Sequence, residues 1–247
     1  MRRPRGGALV ALAGLLAPAL ALGAGAPAGA SSISRSPTRL LAATSSAVKK
    51  AGSMTFTDRS VSGKVTETYS GAVSATTAAE TLTATGEPAL QVVLVDQVIY
   101  IRAGSTVLEN SLDLSPTAAA AEAGKWISVQ SSDAPFAGLA SQLTVASELT
   151  AYFPASKRRI GKASSVAHHP VITVYGDPSA SAANGATAGS AALFLSAKAP
   201  YLPVGGSLIL AKSGSAERKE VAVFKNWGKP FSVIAPTSPV SYDSLTG

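Results

Sequence analysis

The sequence predicts an α+β fold built on one dominant antiparallel sheet. Three observations carry this expectation. Beyond residue 53 the chain alternates apolar and polar residues and is dense in valine and threonine. Breaks marked by glycine or proline recur at intervals too short for crossover helices, which favours hairpins. Only two segments keep an apolar stripe at helical spacing. A sheet of about ten strands curls, and two helices cover its concave face incompletely, which leaves an opening for an apolar ligand.

The chain opens on Arg2, Arg3 and Arg5, continues through a small-apolar run from Ala8 to Leu22, and reaches Ala28-Gly29-Ala30, the small-x-small pattern of signal cleavage. The expectation is a signal peptide over residues 1–30, cut between Ala30 and Ser31, followed by a single domain over 31–247. The mature chain is then extracytoplasmic, secreted or associated with the cell envelope. The net charge of +7 falls to +4 without the three signal arginines. The remaining basic residues are scattered, apart from Lys157-Arg158-Arg159 and Arg218-Lys219. That distribution excludes the dense basic face of a nucleic-acid binder and leaves a membrane surface as a weak partner. The lack of cysteine excludes a disulfide framework, a thiolate metal site, a cysteine nucleophile and lipidation at a cysteine after the signal.

Ser36 and Pro37 form an N-cap and first-turn pair, and Leu40, Leu41, Ala47, Val48 and Ala51 follow at helical spacing until Gly52. Strands are expected around Met54 and Phe56, over Val61 to Tyr69, and over Thr76 to Thr85, with Gly63, Gly71 and Gly86-Glu87-Pro88 as punctuation. Leu90 to Val95 and Val98 to Arg102 flank Asp96-Gln97 as a compact hairpin, and Trp126 to Val129 is a further short strand. A second helix is expected from an Asp133 cap near Pro135, with Leu139, Leu143, Ala146, Leu149 and Phe153 on one stripe until Pro154. Strands then follow at Val171 to Tyr175, Ala191 to Ala197, Ser207 to Lys212, Glu220 to Phe224 and Phe231 to Ile234. The Ser, Ala, Gly, Asn and Thr of Ser179 to Ser190 read as a solvated loop, and Gly205-Gly206 as a turn.

Catalytic, metal and cofactor signatures are all missing. His168 and His169 are adjacent, so on an extended chain they point to opposite faces and do not chelate one metal together. No Gly-x-Ser-x-Gly elbow is present, and the few acids form no pair that local sequence places on one cleft wall. Trp126 and Trp227 read as packing residues under a sheet rim rather than as ligand platforms.

Particular strings add to this reading. LVDQVIYIRAG (Leu94 to Gly104), AGKWISV (Ala123 to Val129), HPVITVYGD (His169 to Asp177), PYLPV (Pro200 to Val204) and FKNWGKPFSVIAPTSPV (Phe224 to Val240) occur in an order that resembles the actinobacterial LppX/LprG-type envelope lipid-binding proteins. The resemblance spans the whole mature chain. It implies a LolA-like (lipoprotein carrier) fold: an open half-barrel of antiparallel strands with helices over its concave face and an apolar cavity between. It further implies binding and transfer of lipid or glycolipid acyl chains by a monomer, without catalysis. Many relatives carry a lipobox cysteine, whereas this chain has Gly25-Ala26-Pro27-Ala28-Gly29-Ala30 at that place. The same fold also resembles extracytoplasmic sensory modules that act on a membrane-anchored regulator, so an envelope protein partner stays open as an alternative. The family has no catalytic motif to carry over, and strand alternation selects the cavity walls. Val92, Leu94, Ile99 and Ile101 come from the compact hairpin. Ile172, Val174, Leu193 and Leu195 come from the next two strands, and Leu208, Leu210, Val221 and Val223 from the last pair. Leu139, Leu143 and Phe153 come from the covering helix.

Overall fold

The structure is a computed structural model that describes residues 36–246 except 163, 167, 168, 184, 185, 187 and 212–215. The expected signal segment with its expected Ala30-Ser31 junction, and His168, lie outside the described residues. Helix α1 (Pro37–Ala51) is capped by Ser36, carries Pro37 in its first turn and stops at Gly52, whose φ of 71° is the left-handed conformation glycine adopts without strain. Its apolar stripe buries Leu40, Leu41 and Val48. Thr44 on the same stripe donates from Oγ1 to the Tyr201 carbonyl at 3.2 Å, tying the helix to the far half of the chain.

A meander follows: β1 (Met54–Ser62), β2 (Val65–Val73), β3 (Ala78–Ala84), β4 (Leu90–Val95) and β5 (Val98–Arg102). Two short helices, α2 (Ser105–Leu112) and α3 (Pro116–Glu122), lead to β6 (Ile127–Gln130). Helices α4 (Phe136–Ala140) and α5 (Val145–Thr150) precede a second run of strands. These are β7 (Ser156–Ile160), β8 (Ser164–Val166), β9 (His169–Asp177), β10 (Ala188–Ser196), β11 (Pro203–Ala211) and β12 (Arg218–Lys225), with helix α6 (Ala180–Ala183) between β9 and β10. The chain ends with β13 (Val240–Ser241) and α7 (Asp243–Thr246).

All strands join one sheet, ordered β13-β6-β5-β4-β3-β2-β1-β12-β11-β10-β9-β7, with β8 added on β9. Every pairing is antiparallel except β13 on β6. The two wings meet mid-sheet, where β1 pairs with β12 from Thr55 opposite Lys225 to Ser62 opposite Arg218. The outer strands β13 and β7 do not pair with each other, so the sheet is open. Alternation places Met54, Phe56, Asp58 and Ser60 of β1 inward, beside Glu220, Ala222 and Phe224 of β12. The fold is α+β with a large, open, mostly antiparallel sheet and few helices. Among the described residues no helix is long and apolar enough to cross a membrane.

Several expectations need correction. The expected second helix is two, because Thr144 caps a new start: its hydroxyl accepts from the Ser147 N–H, and the Ser147 hydroxyl accepts from the Thr144 N–H. Capping chemistry there overrides a continuous apolar stripe. Asp133 caps no helix and instead accepts from the Gln130 N–H at 2.7 Å. Gly205 and Gly206 lie inside β11, not in a turn, and Gly71 lies inside β2. A Cβ on Gly206 would sit 2.6 Å from Cγ of the Tyr152 ring, so this strand needs a glycine for the ring to lie flat against it. Phe231 to Ile234 forms no strand: Pro230 and Pro236 bracket it, and Ile234 is exposed. Part of the expected Ser179–Ser190 loop is the α6 turn and the start of β10.

Candidate functional site

Among the described residues, two spaces stand out. The smaller, about 100 Å³, lies on the concave face at one end of β1 to β4, under the α4–α5 connection. Leu82, Leu90, Val92, Leu139 and Leu143 form its apolar side. Asp58, Glu67, Glu80 and Arg218 form the other. The acids converge through register, since Asp58 of β1 faces Tyr69 of β2 and Ser60 faces both Glu67 and Glu220. Gly71 of β2 lies opposite Glu80 of β3 and leaves room beside that side chain.

Of the acids on this face, Glu220 and Asp58 are held by a polar clamp centred on Tyr152. Its hydroxyl donates to Glu220 Oε1 at 2.7 Å, with Asp58 within hydrogen-bonding reach of the same group. Glu220, 1 % exposed, accepts from Arg218 Nη2 at 2.6 Å, and Arg218 Nε donates to Ser60 Oγ at 3.0 Å. Burial pushes the Tyr152 hydroxyl well above its ordinary range, and the charges of Glu220 and Asp58 push it the same way. The tyrosine stays protonated and donating. The clamp fastens the segment after α5 onto the centre of the sheet, and the Tyr152 ring packs edge-on against Phe224 at 5.7 Å. Among the described residues, no group of three or more His, Cys, Asp or Glu is placed to hold a metal ion.

The larger space, about 840 Å³, is a groove between α1 and α5, bounded by the β2–β3 turn and by β7. Leu41, Ala42 and Val48 form one wall, and Val145, Leu149 and Phe153 the other. Its size falls within the range of small-ligand sites, about 300–1,000 Å³.

The residues selected by alternation divide between these places. Val92, Leu139 and Leu143 line the small pocket, and Phe153 lines the groove. Leu94, Ile99 and Ile101 are packed in the core on one wing. Val174, Leu193, Leu195, Leu208 and Leu210 are packed in the core on the other wing, with Ile172 partly buried against them. The hollow of the sheet is thus mostly filled by the protein's own side chains. Val221 is 51 % exposed, and Val223 shares its side of β12. Those two belong to the convex face, because Glu220, Ala222 and Phe224 take the inward positions that an apolar pattern assigns to the valines. His169 is exposed on β9, and Trp227 donates from Nε1 to the Pro203 carbonyl at 2.7 Å, a packing role. Sequence reasoning missed α1 as a groove wall, although Leu41 and Val48, one helical face apart by seven residues, carried the signal.

Comparison with known proteins places the fold. The structure of the Mycobacterium tuberculosis lipoprotein LppX matches with a TM-score of 0.53 over 80 % of this chain and 98 % of that one, at 15 % sequence identity. No protein-family model matches, and no curated protein matches in sequence. The chain therefore has an LppX-like fold.

Proposed function

We propose that this protein is an extracytoplasmic, non-enzymatic carrier that binds lipid or glycolipid acyl chains in the groove between α1 and α5 and transfers them within the cell envelope. The observation that carries the reading is the groove itself: about 840 Å³, open to solvent, with walls of Leu41, Val48, Val145, Leu149 and Phe153. The LppX-like fold and the family-like strings along the mature chain support it. Extracytoplasmic placement rests on the N-terminal signal pattern. Burying hydrocarbon is favourable by about 0.8 kcal/mol per methylene, so one long chain supplies useful affinity without specific polar contacts. No general acid or nucleophile is needed. Organic extraction of purified protein followed by mass spectrometry is expected to release acyl lipid. Ala42 lines the groove from an exposed position on α1, so Ala42→Trp obstructs part of the space without disturbing the core. That variant is expected to lose most of the lipid at unchanged thermal stability. Background lipid alone in repeated wild-type preparations, or a full load in Ala42→Trp, overturns the reading.

A further inference from the structure

The pocket and the groove differ in charge. Acids and one arginine line the small pocket, whereas the charged residues lining the groove are Lys49 and Arg158, with no aspartate or glutamate among the described residues there. The two cations arrive from separate elements, Lys49 from the last turn of α1 and Arg158 from the edge strand β7. Both are exposed, which keeps them hydrated and inexpensive for the fold until a ligand arrives. Among the described residues neither lies within ion-pair distance of an acid.

Their basic neighbours on β7 are engaged within the protein. Lys157 pairs with Asp177 at 3.2 Å, and Asp177 also accepts from the Ser156 hydroxyl at 2.7 Å. Arg159 lies over the Tyr175 ring at 5.9 Å. Arg158 instead donates from Nε to the carbonyl of Pro154, a groove residue, at 2.9 Å, which steadies the guanidinium at the groove and uses only one of its five donors.

An apolar trough lined by two cations from different elements and by no acid suits an amphiphile whose tail enters the trough and whose head is an anion. We infer that the groove's ligand carries an anionic head, carboxylate or phosphate, held between Lys49 and Arg158. This assignment rests on the lipid-binding reading above and adds the class of the head. A neutral glyceride or sterol ester would bury the same hydrocarbon and lack the charge that draws an anion to both cations.

Calorimetric titration of the purified, delipidated protein with palmitate, palmitoyl lysophosphatidylglycerol and monopalmitin tests it, because the three share one chain and differ in head. At low salt either anionic probe is expected to bind about fivefold or more tightly than monopalmitin, with the advantage shrinking as salt rises. The better of the two anions identifies the head as carboxylate or phosphate. Lys49→Gln with Arg158→Gln is expected to bring the anions to the monopalmitin level and to leave monopalmitin unchanged, while Arg158→Lys retains part of the preference. Equal affinities in the wild type, or a preference that survives the double substitution, overturns the head assignment while lipid binding stands. Failure of all three probes to bind removes both.

Discussion

Tyr152 concentrates several consequences in one hydroxyl. It donates to a glutamate that is almost fully buried, and its ring lies against the backbone of Gly206. Tyr152→Phe removes the donor and leaves a buried carboxylate less well satisfied, so a loss of about 2 kcal/mol is expected in urea denaturation. The effect on pH dependence follows from the sign of the shift. Burial, then Glu220 and Asp58, raise the folded-state pKa above the unfolded value, near 10. The stability this contributes is complete below that value and disappears as pH rises through the folded pKa. The wild-type urea midpoint is therefore expected to fall more between pH of about 8 and about 11 than that of Tyr152→Phe. Parallel declines would remove the tyrosine from this role. None of this was legible in the sequence, where Val221 and Val223 outrank Glu220 as inward residues. Only the pairing of Glu220 with Arg218 and Tyr152 makes the charged residue the buried one.

At the level of elements, legibility followed the strength of local chemistry. The β4–β5 hairpin has the boundaries its sequence suggests, because two apolar strands flank a two-residue turn. Helix α1 was equally plain from Ser36-Pro37 at one end and Gly52 at the other. The α4–α5 region misled because its apolar stripe is continuous while its hydrogen bonds are not, and a hydroxyl cap between the halves is a weaker signal than spacing. Helices α2 and α3 present only Leu108, Leu112 and Ala119 as buried positions, too few to mark a stripe. The hairpin carries a stability prediction. Asp96 and Gln97 have φ of 52° and 61°, the left-handed pair of a type I′ turn, which disfavours glutamine and favours glycine at the second place. Gln97→Gly is expected to stabilise the protein by about 0.5 kcal/mol, read from the thermal midpoint; a lower midpoint would show that Gln97 contributes contacts that outweigh its backbone strain.

For the molecule as a whole, composition and rhythm were enough to reach the α+β class, but the groove depends on how α1 and α5 sit relative to each other. Those helices are far apart in the chain, and periodicity within each says nothing about the gap between them. The same remoteness appears at the seam of β1 and β12, where side chains and carbonyls meet across sequence separations such as 170 residues. Removing residues from 212 onward is expected to leave β1 with one neighbour and an exposed edge, and light scattering is expected to show aggregation where the full chain stays monodisperse. A monodisperse, folded truncation would mean that the two wings hold together without the β1–β12 seam. The seam also orders events in time. A polypeptide leaving the ribosome holds β1 while the ribosome still retains β12, so the sheet locks only when nearly all of it has emerged. Late closure of this kind leaves the early strands waiting for a distant neighbour and places the rigid state at the end of synthesis.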